Sequence, residues 1–193
     1  CCIHSSAIGI YGSNPGKELD EHHTKGNGFL ADTTHEWEIE QNKFAEYSKR
    51  NINLRIGVVL SFNGGILAAT RIPFKLGIGG YVGPGLNYLS WIGIEDLARI
   101  IGLSLSDTSL NGPINAVSPT PCTNMHFFSK LSDKLKSNIM LKIPPYIPRL
   151  VSKEITDEIL ISDQFVRPAK LIENKYSFFT PNLDEALDNA FGF

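Results

Sequence analysis

Short β-branched apolar runs alternate along this chain with longer stretches in which apolar residues recur at helical spacing. Residues 53–60, NLRIGVVL, are nearly unbroken in their apolar part, the pattern of a strand buried on both faces of a parallel sheet. Residues 1–4 read as a short buried strand ending at Ser5 and Ser6, and residues 88–92 and 113–117 as two further strands. Between them, residues 29–50 predict a long helix. Phe29, Thr33, Trp37, Phe44 and Tyr47 form its apolar stripe, and Glu36, Glu38, Glu40, Lys43, Glu46 and Lys49 its wet face. Further helices are expected over 66–76, over 94–105, and from a cap at Thr123 or Asn124 to about Lys136. Glu95 and Asp96 suit the first turn of the second of these, with Asp96 read as a cap.

Glycines, Asn14 and Pro15 punctuate residues 12–28 as a loop, and GIGGYVGPG at 77–85 reads as a turn-rich connection. At Pro144, Pro145 and Pro148 the texture changes, which sets a boundary between 1–143 and 144–193. The second part predicts a helix near 153–162, a short strand near 176–178 and a final helix opening at Asn182. Strands alternating with helices argue for an α/β fold with a parallel sheet.

Composition narrows the function classes. The 193 residues are 42% hydrophobic and 20% charged, enough to bury a core. The formal net charge of -2 lacks the basic excess of a nucleic-acid-binding domain, so no nucleic-acid partner is expected. No apolar run is long enough to span a bilayer, and residues 1–4 lack the basic and apolar regions of a signal peptide. Cys1, Cys2 and Cys122 make an odd, unpatterned set. They are read as reduced, buried thiols of a cytoplasmic protein. His22 and His23 have no cysteine partners at zinc spacing, and no metal site is expected.

The glycine stretch at 77–85 is no dinucleotide fingerprint, because it follows a helix, precedes a strand and has the wrong spacing. Ser5 and Ser6 are more informative. They end a buried strand, where open α/β sheets bind ligands, and Tyr11 and Gly12 follow closely.

The order and spacing of SSAIGIYG, Glu21, FLAD…EWE, LRIGVVLS, PFKLGIGG, SWIGIEDLA and LNGPINAVSP resemble one family. It is the atypical extended short-chain dehydrogenase/reductases known as sugar-nucleotide-epimerase-like proteins, whose bacterial members often carry a cell-division-inhibitor label. The tail, PPYIPRLV through YSFFTPNLDEAL, resembles the small C-terminal domain of that group. The resemblance implies the second half of a Rossmann-type parallel sheet in 1–143, with a small α+β substrate or C-terminal domain in 144–193. It implies NADP or NAD as cofactor and a small carbonyl or nucleotide sugar as substrate. The glycine loop would lie upstream of Cys1, in an N-terminal half-sheet expected as a structural partner.

By resemblance, Ser5, Ser6, Ala7, Arg55, Gly57, Val58 and Val59 form the nicotinamide-side wall. Glu21, Phe74, Asn87 and Trp91 are candidate substrate contacts. Family members transfer protons with Ser or Thr plus Tyr-x-x-x-Lys, the Lys lowering the Tyr pKa. Here the Tyr position falls near Leu30, the Lys position near Thr34, and the Ser position at Ser6 or Ala7. Ser6 and Tyr11 are the remaining candidates for catalysis. Two readings follow: an epimerase- or dehydratase-like oxidoreductase, or a non-catalytic NADP-binding regulatory or interaction protein.

Overall fold

The computed structural model describes residues 1–150, 153 and 156–192. In chain order the elements are β1 (Cys2–Ala7), β2 (Glu18–Leu19), α1 (Phe29–Asn42), β3 (Asn51–Ile56), β4 (Val58–Leu60), α2 (Gly65–Lys75), β5 (Ile78–Val82), β6 (Tyr88–Leu89), β7 (Trp91–Gly93), α3 (Ile94–Ser106), β8 (Gly112–Ala116), β9 (Cys122–Thr123), α4 (Asn124–Leu135), β10 (Ile139–Ile143), α5 (Tyr146–Arg149) and β11 (Phe165–Val166). A short helix, Ala169–Glu173, and a C-terminal helix, Leu183–Phe191, complete the chain. The result is α/β: a three-stranded parallel sheet in the order β1-β3-β8, flanked by four two-stranded pairings.

The expected strand over 53–60 is split at Gly57, where the chain changes partners. Gly57 N–H donates to Ala116 O at 3.1 Å on β8, and Val58 N–H donates to Ser90 O at 2.9 Å beside β7. A Cβ on Gly57 would lie 2.7 Å from Ser90 O and 2.8 Å from Val117 Cγ1, so the crossing requires glycine. The expected strand over 88–92 is likewise split at Ser90. β6 runs antiparallel to β9, whereas β7 runs parallel to β4. Ser90 turns its hydroxyl to Gln164 O at 2.7 Å and accepts from Val166 N–H at 2.9 Å.

Three further expectations are corrected. Residues 78–82 of the glycine stretch form a strand, because β10 lies parallel beside them. No strand forms at 176–178; among the described residues β11 is the strand of the tail and pairs with β2. The helix expected over 153–162 falls partly outside the described residues, and Thr156–Leu160 is a single π-helical turn.

The long helix is shorter than expected and turned over. It ends at Asn42 and passes into a 3-10 turn, Lys43–Glu46. Its buried side is Ala31, Thr34 and Glu38, while Phe29, Trp37, Phe44 and Tyr47 are exposed. β1 pairs with β3 along one side, and among the described residues its other edge has no partner. Cys1 is exposed rather than buried, and all three cysteines are free.

The cores join both parts of the sequence. Trp91, Phe127 and Leu131 pack with Leu183 and Leu187, Ile52 and Ile114 with Leu171, and Tyr11 and Val117 with Val166. Each such fully buried aliphatic or aromatic side chain contributes roughly 1.5–3 kcal/mol. Asp96 fastens the tail instead of capping α3. It is buried and accepts from Tyr176 O–H (2.9 Å), Phe179 N–H (2.8 Å), Thr180 N–H (2.9 Å) and Thr180 O–H (2.8 Å).

Candidate functional site

Ala7 at the end of β1, Ile56 at the end of β3, and Gly57 and Val58 beside them form one wall of a cavity of about 940 Å3. This is the edge at which open α/β sheets bind ligands, and the volume suits a small molecule. α2 contributes Ile66, Ala69, Pro73 and Phe74, and β5 and β10 contribute Val82, Leu141 and Ile143. Tyr88 and Ser90 belong to the lining, which Ile147, Pro148 and residues 158–160 help to complete.

Polar groups in this lining are few and mostly engaged. Ser90 is committed to the tail as described. Gln164 donates its side-chain amide to Gly12 O at 3.1 Å, and Thr70 its hydroxyl to Ile66 O at 2.6 Å. Glu158 accepts from Phe29 N–H at 2.8 Å and Leu30 N–H at 2.6 Å. It thereby caps α1, whose Gly28 offers no side chain for the purpose. Thr34 is buried and belongs to the lining. A Cβ on Gly9 would lie 3.2 Å from Leu30 Cβ and 3.8 Å from Thr34 Oγ1, so the turn after β1 and α1 are in close contact. Ala7, Leu30 and Thr34 therefore face one cavity.

Ser6 and Tyr11 belong to a different structure. Ser6 donates its hydroxyl to Glu38 Oε1 at 2.7 Å. Arg55 grips the same carboxylate, Nε to Oε1 at 2.9 Å and Nη2 to Oε2 at 2.8 Å, and gives Nη1 to Tyr11 Oη at 2.9 Å. Tyr11 in turn donates to Asn115 Oδ1 at 2.8 Å. All five side chains are buried. Burial raises the Tyr11 pKa, and Arg55 offsets only part of that rise. Burial alone would lower Arg55, but Glu38 and Tyr11 outweigh it and hold the guanidinium charged. This network joins β1, α1, β3 and β8, and neither hydroxyl is in the cavity lining. The two residues expected to carry catalysis are thus placed in this buried network and outside the cavity lining: strand alternation turns Ser6 to the α1 side, and Tyr11 is packed in the core.

The other candidates divide. Ala7, Gly57, Val58 and Phe74 line the cavity. Ser5 is exposed on β1, Arg55 serves the buried network, and Val59 packs against the core around Ile92. Glu21 is buried away from the cavity, with Oε1 accepting Asn115 N–H at 3.0 Å and burial raising its pKa. Trp91 is fully buried in the core. Asn87 donates to Leu160 O at 3.2 Å and Ser162 O at 3.1 Å, so it positions the cavity wall instead of reaching into it. Asn115 and Glu158 were not singled out in the sequence, and Glu38 was read as part of the wet face of the helix, whereas it is buried against Arg55. The spacing Ala31, Thr34, Glu38 marks one helical face and carried the information for Glu38.

An apolar cavity at the carboxyl edge of the parallel β1-β3-β8 sheet, with residues of the tail in its lining, is the arrangement of a Rossmann-type α/β fold. No family model matches the chain. An epimerase family protein of Mycobacterium bovis is 33% identical over 188 residues, 97% of this chain and 62% of that protein. Epimerase family protein YfhF of Bacillus subtilis is 31% identical over 96% of this chain and 61% of its own length. The crystal structure of human epimerase family protein SDR39U1 with NADPH superposes with a TM-score of 0.87 at 27% identity, covering 99% of this chain and 65% of that one. UDP-glucose 4-epimerase from Thermus thermophilus, solved with NAD, shares the fold at a TM-score of 0.72 and 16% identity, over 98% of this chain and 63% of that one. The chain thus spans less than two thirds of the length of these curated relatives.

Proposed function

We propose that this chain is the substrate-side portion of an epimerase family protein, an NAD(P)-dependent epimerase- or dehydratase-like oxidoreductase acting on a small molecule held in the cavity. The observation that carries this reading is the cavity's position, at the carboxyl ends of β1 and β3 with Ala7, Gly57 and Val58 in its wall. Small side chains there fit the flat, apolar nicotinamide end of a dinucleotide. The lining has no Lys or Arg among the described residues, so the same wall does not fit a pyrophosphate. The grip on the rest of the cofactor would come from the additional length that the relatives possess. An upstream half-sheet laid along the open edge of β1 is the structural partner we propose.

When bound, NAD(P) supplies hydride transfer. The chain's own residues orient the substrate against Ala7, Gly57 and Val58 and exclude water. No nucleic acid or membrane is proposed as a partner; among the described residues no helix is long and apolar enough to cross a membrane. The free cysteines accord with a cytoplasmic location.

Ala7, Leu30 and Thr34 favour a second reading, a non-catalytic NADP-binding regulatory or interaction protein. One experiment separates the two. The whole protein is mixed with NADPH and a panel of carbonyls and nucleotide sugars, and cofactor absorbance is followed. Substrate-dependent NADPH oxidation, or conversion of a panel compound to an isomer or dehydration product with the net redox state unchanged, supports the enzyme; NADPH binding with neither across the panel removes that reading and leaves the second.

A further inference from the structure

We infer that the cavity selects an uncharged, largely apolar ligand and rejects nucleotide-diphosphate sugars. The inference rests on reading the cavity as the ligand site and names the class of molecule that enters it. A diphosphate carries charge that is costly to bring out of water unless cations or oriented donors receive it. Among the described residues no Lys, Arg or His lines the cavity, whose walls are Ile, Leu, Val, Phe, Pro, Ala and Gly for the most part. Among the described residues the one carboxylate in the lining is Glu158, an acceptor that offers a phosphate nothing.

Glu158 also removes an anion site. Helix N-termini attract phosphates through free N–H groups, but the carboxylate of Glu158 already occupies the Phe29 and Leu30 amides of α1. The α2 N-terminus also reaches the cavity, at Gly65 and Ile66, with no basic side chain beside it in the lining. The mouth is apolar as well: Ile78, Leu141 and Ile147 line the cavity while remaining about half exposed. An apolar rim leading to an apolar interior favours transfer of an uncharged molecule from water.

Fluorescence titration with prodan, an uncharged aromatic ketone whose emission moves to the blue in apolar surroundings, tests the inference. We expect saturable, salt-insensitive binding, undisturbed by millimolar UDP or UDP-glucose. Ala69→Trp, which fills the cavity from an exposed helical position, should weaken prodan by about tenfold or more, or roughly 1.4 kcal/mol. Leu141→Asp at the rim should act in the same direction, so the test does not hang on one variant. Displacement of prodan by UDP or UDP-glucose, or calorimetric binding of UDP-glucose that weakens with salt, would overturn the inference. So would an absence of prodan binding, or equal binding by both variants and the parent. Prodan bound in the cavity with neither NADPH oxidation nor an isomer or dehydration product from any panel compound would support the inference while removing the enzyme reading.

Discussion

Arg55 meets Glu38 in a two-pronged contact, Nε to Oε1 at 2.9 Å and Nη2 to Oε2 at 2.8 Å, with both side chains buried. Removing one member of such a pair strands a buried charge, whereas replacing both with apolar groups of similar size removes the desolvation cost as well. Arg55→Met alone should therefore destabilise the protein by about 3–5 kcal/mol. Arg55→Met combined with Glu38→Leu should recover most of that loss, as measured by urea unfolding. If the double variant is as unstable as the single, the pair is not the source of the effect.

Tyr11 follows from the same network. Its hydroxyl accepts from Arg55 and donates to Asn115, and burial raises its pKa. The hydroxyl is committed to these two partners, and Tyr11 does not line the cavity. Tyr11→Phe should cost about 1–3 kcal/mol through the partners left unpaired. It should leave prodan and NADPH affinities unchanged. A variant of parental stability that loses ligand binding would return Tyr11 to the site.

Much of the scaffold was legible because it is local. α3 and α4 follow helical spacing, and the Thr123 hydroxyl accepts His126 N–H at 3.3 Å, as its position before the helix suggested. Asn182 caps the last helix in the same way. What was not legible depends on contacts distant in sequence. Glu38 looks like a solvated carboxylate until β3 brings Arg55 against it. Gly79 and Gly80 look like turn residues until β10 supplies a strand partner. Trp37 and Phe44 look like core, yet Trp37 on α1 and Phe44 in the 3-10 turn after it are exposed. The cavity itself was half visible: Ala7, Leu30 and Thr34 could be placed by resemblance, whereas Glu158 reaches α1 across 128 residues with nothing in the local pattern to mark it.

The cysteines should separate cleanly by reactivity. Burial pushes the Cys122 thiol up to about 12, and thiolate is the reactive form. Cys1 is exposed. Iodoacetamide in mildly alkaline buffer should therefore modify Cys1 and spare Cys122, with Cys122 becoming reactive once the protein is unfolded. Peptide mass spectrometry reads both sites. Equal labelling of the folded protein would contradict the packing of Cys122 against the Trp91 core.

Glu21 should make stability depend on pH in the direction opposite to an ordinary ion pair. Its pKa is raised above the ordinary carboxylate value of about 4.5, with burial the main cause. The folded protein therefore binds this proton more tightly than the unfolded chain. The resulting stabilisation is complete below about 4.5 and is lost as pH rises through the folded value. At neutral pH the ionised carboxylate is a net cost, with Oε2 buried and unpaired. Glu21→Gln keeps an acceptor for Asn115 N–H and cannot ionise. Its stability should vary less than the parent's between pH 4.5 and neutrality, and its advantage over the parent should widen as pH rises. Chemical denaturation across that range measures the difference, and parallel curves for the two proteins would show that Glu21 titrates alike in the folded and unfolded chain.

Glu158 offers a local test of how the far wall of the cavity is held. Its two carboxylate oxygens accept the first amides of α1, from Phe29 and Leu30, in a helix whose Gly28 cap has no side chain. A carboxylate at a helix N-terminus satisfies orphan donors and interacts favourably with the helix dipole. Losing such a cap costs about 0.5–2 kcal/mol. Glu158→Ala should therefore lower global stability modestly while speeding hydrogen exchange at Phe29 and Leu30 far more than in α3 or α4. Because Ile159 and Leu160 line the cavity beside it, the same variant should also weaken prodan binding. Glu158→Gln retains one acceptor and should fall between the two proteins in both measurements. Unchanged exchange at Phe29 and Leu30 would mean that this contact does not hold the wall to the helix.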